Sequence, residues 1–160
     1  IGKYYQALTH FNRSAALVPG NYVPYYNAGN MLREQGRTDE ARKLYFKALE
    51  IYPLSPEAHW SLAMTCLPPL FDRQEDVAAA RAAYARALDE LDRWFAANAV
   101  PDAQRAVGVT HPFYLAYQEE NNRDLMARYG KLCVRLMKEW RDKQAFANAL
   151  DRILVRLARG

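Results

Sequence analysis

The sequence has only two cysteines, Cys66 and Cys133, and they stand far apart among apolar residues. Disulfide frameworks and cysteine-based metal sites need several cysteines at regular spacing. We therefore expect both to be small buried side chains in a reducing compartment. This predicts a cytoplasmic protein without a structural metal.

Long apolar runs are missing too. A helix that crosses a membrane needs roughly twenty consecutive apolar residues, and no stretch of this chain approaches that length. With 51% hydrophobic and 25% charged residues, the composition is that of an ordinary globular domain. We expect one well-packed domain and no membrane partner.

Motifs of enzyme chemistry are also absent. The three histidines, His10, His59 and His111, lack the spacing of metal ligands. The chain has no glycine-rich phosphate loop, no nucleophile elbow and no paired carboxylate motif. The sequence therefore predicts no catalytic residue, no cofactor and no metal site in these 160 residues.

Positive charge is concentrated near the C-terminus. Residues 1–120 contain 12 Lys and Arg against 14 Asp and Glu, whereas residues 121–160 contain 10 against 4. A basic stripe can contact phosphates, but it is more often the solvated face of a packed helix. Nucleic acid is therefore the less favoured partner. The stripe consists of Arg128, Lys131, Arg135 and Lys138.

What the sequence does contain is a repeat. A shift of 34 residues places small residues on small ones, aromatic on aromatic and proline on proline. The aligned pairs include Gly2/Gly36, Ala7/Ala41, Phe11/Tyr45, Pro19/Pro53, Tyr26/Trp60 and Gly29/Ala63. This pattern resembles the tetratricopeptide repeat (TPR), a helix–turn–helix unit that stacks into a solenoid.

Each repeated residue type has a local physical reason. Gly29 and Ala41 are small where the two helices of a pair cross, and Tyr45 fills the space between one pair and the next. Gly36 permits the turn between the helices. Pro53 ends the second helix because proline cannot continue the hydrogen-bond ladder.

Polar residues stand where these helices should begin. Asn21, Thr38 and Ser55 can each accept a hydrogen bond from backbone N–H groups at a helix start. Asp72 and Glu75 have the spacing of a capping box for a later helix.

The third repeat departs from the period. Its second-helix aromatic residue, Tyr84, arrives five residues late because of extra residues at 67–72, where Pro68 and Pro69 should end the preceding helix. A long helix at about 74–97 should follow, and residues 98–110 lack a sustained pattern, so we expect a loop or mobile connection there.

We expect no strands and three further helices, at about 113–118, 123–140 and 143–158. The last should carry Phe146, Leu150, Ile153, Leu154 and Leu157 on one face.

The predicted fold is all-α, a TPR solenoid with additional C-terminal helices. We divide it into TPR units at 1–97 (a partial repeat 1–21, a full repeat 22–55 and an irregular repeat 56–97), a loop at 98–111 and a C-terminal helical segment at 112–160.

A closer resemblance rests on two stretches. Residues 27–37 read NAGNMLREQGR and are followed by Glu40 and Ala41, which resembles the repeats of O-GlcNAc transferase and SPINDLY-like proteins. Residues 111–132, and the interrupted repeat before them, are similar to the segment that joins the repeats to the catalytic domain in bacterial SPINDLY-family glycosyltransferases.

This resemblance implies a parent protein that transfers a sugar from a nucleotide-sugar donor to Ser, Thr or Asn of an acceptor protein. The α/β catalytic domain of that family has no counterpart in these residues, so this chain would supply recognition. The alternative is a free-standing TPR adaptor that assembles a protein complex.

The TPR resemblance also implies a binding surface. First-helix residues at four positions of each repeat line the concave groove, where a protein or peptide would bind. In O-GlcNAc transferase, asparagines there hold peptide backbone, and only Asn27 has that position here, with Ser61 as its counterpart. The expected peptide contacts are Val23, Tyr26, Asn27, Asn30, Arg33, Trp60 and Met64. For Trp60 the alternative is that the extra segment 67–72 or the C-terminal helices cover it.

The C-terminal helices offer a second kind of contact. Their apolar side would meet a catalytic domain outside this chain or a second copy of the protein.

Overall fold

The computed structural model describes residues 2–71, 73 and 75–157, and it is built from helices. No strand occurs among those residues, which confirms the all-α prediction. Two 3-10 turns, Ala103–Ala106 and Phe113–Tyr117, lie between the last two α-helices. The α-helices are α1 (Gly2–Leu17), α2 (Val23–Glu34), α3 (Thr38–Ile51), α4 (Pro56–Met64), α5 (Glu75–Ala97) and α6 (Arg123–Leu157).

The turn between α2 and α3 depends on Gly36. This residue has a φ of +75°, a conformation that glycine adopts without a steric cost. The prediction that Thr38 caps α3 is wrong, because Thr38 is already helical and its hydroxyl donates to the carbonyl of Gly36 at 3.4 Å. Arg37 holds the first turn instead, through hydrogen bonds to both carboxylate oxygens of Glu40 at 2.7 and 2.6 Å.

The crossing of α2 and α3 needs a residue without a side chain at position 29. A Cβ atom on Gly29 would lie 2.7 Å from Cε1 of Tyr45, closer than packed carbon atoms can approach. The Tyr45 ring therefore rests directly on the α2 backbone, and it is fully buried together with Ala41. The expected roles of Gly29, Ala41 and Tyr45 in packing are confirmed.

The cap of α4 is also as expected. The Ser55 hydroxyl accepts a hydrogen bond from the backbone N–H of Ala58 at 3.2 Å. The N-cap residue of α2 is Tyr22 and not Asn21 as predicted, so that helix begins one residue later; the side chain of Asn21 accepts from the N–H of Val23 at 3.0 Å. The helix before Pro68 ends earlier than predicted, at Met64.

The proposed capping box before α5 lies outside the described residues, since Asp72 is not among them and the side chain of Glu75 is not described. The division of the chain into repeats, loop and C-terminal segment stays a prediction.

Residues 98–111 contain no α-helix, yet they pack tightly. Ala106 of the first 3-10 turn is fully buried, and Val100 and Thr110 are 6% exposed. The segment lies against α4 and α6 and joins the larger hydrophobic core, which α4, α5 and α6 share. The predicted helix at 113–118 is the second 3-10 turn, in which Leu115 alone is buried.

The C-terminal region is one helix of 35 residues, where the sequence analysis predicted two. The break expected between 140 and 143 does not occur, because no glycine or proline stands there to interrupt the hydrogen-bond ladder. The side chains of Ile153 and Leu157 are not among the described ones.

Ion pairs join α6 to α5. Arg128 lies 3.1 Å from a carboxylate oxygen of Asp89, and Arg135 pairs with Asp92 and with Glu139 of its own helix. Asp89 and Asp92 are more than half exposed, so these ion pairs lie at the surface. Two of the four residues of the predicted basic stripe, Arg128 and Arg135, thus form ion pairs within the molecule.

None of the helices in the described part of the chain is both long and apolar enough to cross a membrane.

Candidate peptide-binding surface

A row of side chains on α2 forms the candidate binding surface, which we call the α2 face. Val23, Tyr26, Asn30 and Arg33 follow one another at steps of three or four residues, so they share one side of the helix. Val23 is 40% exposed, and the other three are partly buried. Asn27, on the adjoining edge, is partly buried as well. The sequence-predicted residues of the full repeat are thus brought together.

The hydroxyl of Tyr45 lies beneath the α2 face, against Asn30. It comes from α3 and donates a hydrogen bond to Oδ1 of Asn30 at 2.7 Å, which fixes the orientation of that amide. Burial raises the pKa of Tyr45 to about 12, although the neighbouring guanidinium of Arg33 acts in the opposite direction. The hydroxyl is therefore a neutral donor at physiological pH. The ring of Tyr26 packs against the ring of Tyr45, with 6.0 Å between their centroids.

Two polar atoms beside this hydroxyl are buried and form no hydrogen bond of good geometry among the described residues, although both side chains lie close enough to the Tyr45 hydroxyl to lower its pKa. They are Nε of Arg33 and Oγ of Ser61, the α4 residue at the position of Asn27. A buried donor that lacks a partner costs about 1–3 kcal/mol. Neither atom is accessible from the surface, so both belong to the packing beneath the α2 face.

The predicted contacts Trp60 and Met64 do not belong to an open surface. Trp60 is fully buried, its Nε1 donates to the carbonyl oxygen of Thr110 at 2.9 Å, and its ring packs edge-on against Tyr129 of α6. Met64 is 4% exposed and lies in the same core. The prediction that both contact a peptide is wrong, because the chain's own C-terminal part lies over α4.

The same covering extends along the rest of α4. Arg105 of the first 3-10 turn lies 3.1 Å from a carboxylate oxygen of Glu57, and Leu67 is 3% exposed. Sequence reasoning missed Thr110 and Arg105, since neither belongs to a repeating pattern. The hint available was the extra segment 67–72, which marks the third repeat as irregular.

Residues 29–65 match the family model described as TPR repeat. The match runs from α2 across α3 and through α4. A TPR repeat is therefore present in this part of the chain, and TPR repeats generally bind proteins or peptides. A comparison with curated proteins gave no match.

Proposed function

We propose that the α2 face binds an extended peptide segment of a partner protein. The observation that carries this proposal is the polar row of the face, where the Tyr45 hydroxyl holds the amide of Asn30 in a fixed orientation next to the guanidinium of Arg33. The amide of Asn30 can pair with backbone N–H and C=O groups whatever the peptide side chains are. Tyr26 adds a rigid aromatic surface of the kind that dominates many interfaces.

The binding surface in this proposal ends at α4. Segment 98–111 and α6 cover the equivalent residues of the next repeat, so a peptide would follow α2 and extend away from α4. The functional surface is then Val23, Tyr26, Asn27, Asn30 and Arg33.

Selection from a random peptide library, followed by fluorescence anisotropy with the selected peptides, tests this proposal. Tyr26→Ala and Asn30→Ala should each weaken binding by more than about tenfold. Phe46→Ala is the matched control, because Phe46 is an exposed aromatic residue in a different place, the groove between α3, α4 and α5. Equal losses in all three variants would contradict the proposal.

For the parent protein we propose protein glycosylation, with this chain as the part that recognises the acceptor. The resemblance of residues 27–41 and 111–132 to SPINDLY-family glycosyltransferases supports this, and the nucleotide-sugar donor would be bound outside these residues. The free-standing adaptor is the competing proposal.

An assay of sugar transfer distinguishes the glycosylation proposal from the adaptor proposal. Proteins co-expressed with the full-length gene product would be assayed for GlcNAc and related sugars, with this chain alone as the control. Modification by the full-length product only would support the recognition role. Absence of transfer by a folded full-length product would leave the adaptor.

A further inference from the structure

The second half of α6 is a helix without a packing partner among the described residues. Every residue from 137 to 152 is exposed, including Phe146 at 72% and Leu150 at 46%, and Leu154 beyond them is 53% exposed. A helix of this length that packs against nothing is marginal in water, since most helical stability in proteins comes from tertiary contacts. Residues 137–157, which we call the α6 arm, span about 30 Å.

The exposed face of the α6 arm continues the buried face of the same helix. Leu125, Leu132 and Leu136 lie in the core, and Tyr129 packs against it. Steps of three or four residues carry this row on without interruption past the point where the covering ends. The complete row is Leu125, Tyr129, Leu132, Leu136, Trp140, Lys143, Ala147, Asp151 and Leu154.

The exposed part of this row is symmetric about Ala147. Lys143 and Asp151 stand four residues before and after it, and Trp140 and Leu154 stand seven residues before and after it. When two identical helices pair antiparallel about Ala147, each Lys143 faces Asp151 of the other copy and each Trp140 faces Leu154. The small side chain of Ala147 lets the helices approach closely at the centre.

We propose that the α6 arm is a docking surface for a second copy of this chain, paired antiparallel about Ala147. This pairing places each Lys143 next to an Asp151 and each Trp140 next to a Leu154. Phe146 and Leu150 extend the contact on one side of the helix. Five helical turns bury on the order of 1,000 Å² in total, near the lower limit for a specific interface. The expected product is a weak dimer in rapid exchange with monomer.

Sedimentation of the whole chain between about 1 and 300 µM should show the dimer growing with concentration. Reversing one charge, in Lys143→Asp or Asp151→Lys, should weaken association roughly tenfold because like charges then face each other twice. The double reversal should restore it. Lys138→Asp is the matched control, since it makes the same charge change on the opposite side of the helix.

Cysteine cross-linking tests the orientation. In a background with Cys66→Ala and Cys133→Ala, Ala147→Cys should form a disulfide between copies. Leu154→Cys should not, because an antiparallel pair holds the two sites about 20 Å apart. Cross-linking at both positions would overturn the antiparallel arrangement. A monomer throughout the concentration range would overturn the proposal and assign the face to a different protein.

Discussion

Asn30 of α2 and Met64 of α4 stand at the same position of successive repeats, and their surroundings differ. Around Asn30 the side chains are polar and partly exposed, whereas Met64 lies in a core shared with α5 and α6. The segment after α5 and the beginning of α6 bring new chain over α4. The same repeat position thus lies at a surface on α2 and in a core on α4, because different parts of the chain pack around it.

The tyrosines on the second helices show the same contrast. Tyr45 and Tyr84 are both fully buried, but the hydroxyl of Tyr45 bonds to Asn30, and the hydroxyl of Tyr84 is buried without a partner among the described residues. The repeat of Tyr84 has methionine at the position of Asn30, and methionine has no strong acceptor. Burial correspondingly raises the pKa of Tyr84.

We call α2 and α3 the open repeat, and α4 and α5 the covered repeat. The largest loss of stability should come from a substitution in the core of the covered repeat. Trp60→Ala removes a fully buried ring and leaves the carbonyl of Thr110 without its donor, so we expect a loss of about 3–5 kcal/mol in the free energy of unfolding. Tyr26→Ala, at the equivalent position of the open repeat, should cost less than half as much. Urea unfolding followed by circular dichroism measures both. Similar losses would show that the α2 face is covered as well.

A second prediction exchanges the small residues at the helix crossings. Gly29→Ala should destabilise the protein by about 1–3 kcal/mol, because its Cβ would overlap the ring of Tyr45. The equivalent residue of the next repeat is already alanine, so Ala63→Gly tests the opposite change and should cost about 1 kcal/mol through helix propensity.

Both variants are compared with the wild type by their urea midpoints. A stabilising effect of Gly29→Ala would mean that Tyr45 can move aside, which contradicts the tight crossing.

The regular part of this architecture could be predicted because its causes are local. Gly36, Ser55 and the Gly29–Tyr45 contact act within one repeat, so spacing alone reveals them. For Trp60 the sequence left peptide contact and covering by the C-terminal helices both open, since the contact joins residues 60 and 110 through a segment with no periodic pattern. The length of α6 was only partly predictable, because spacing indicates two amphipathic segments without showing that one hydrogen-bond ladder joins them.

The α2 face was also only partly predictable. The period indicated Tyr26, Asn30 and Arg33, but it assigned Tyr45 to packing alone. Its hydroxyl orients the amide of Asn30 from beneath the face, because the α2–α3 crossing is so close that the ring lies against the α2 backbone. Helical spacing carries no information on that distance.

A third prediction removes the two hydroxyls. Tyr45→Phe should cost about 1 kcal/mol, because Asn30 loses a hydrogen bond. Tyr84→Phe should leave stability unchanged or raise it slightly, since a hydroxyl without a partner is removed from the core. Thermal unfolding of the two variants under the same conditions compares them. A loss for Tyr84→Phe as large as that for Tyr45→Phe would indicate a partner for the Tyr84 hydroxyl.

The smallest expected effect is on the pH dependence of stability, through His59 of the covered repeat. The open repeat has Tyr25 at the same position. Burial lowers the pKa of His59 below its usual 6.5, and its ring stacks on Trp94 with centroids 3.7 Å apart. The unfolded chain then binds a proton more readily than the folded one as the pH falls past 6.5. The stability from neutral His59 is therefore present above that pH and is lost as the pH falls through the lower folded value.

His59→Gln should flatten this part of the pH dependence, since glutamine does not titrate, while it retains a donor for the carbonyl of Pro53 that His59 contacts at 2.9 Å. Urea midpoints of the variant and the wild type between pH 5 and pH 8, a range that spans the usual titration of histidine, measure the difference. Parallel curves would mean that His59 is as well hydrated in the folded protein as in the unfolded chain. That result would mean that the side of α4 that carries His59 is exposed to solvent. The C-terminal part would then cover only the side that carries Trp60.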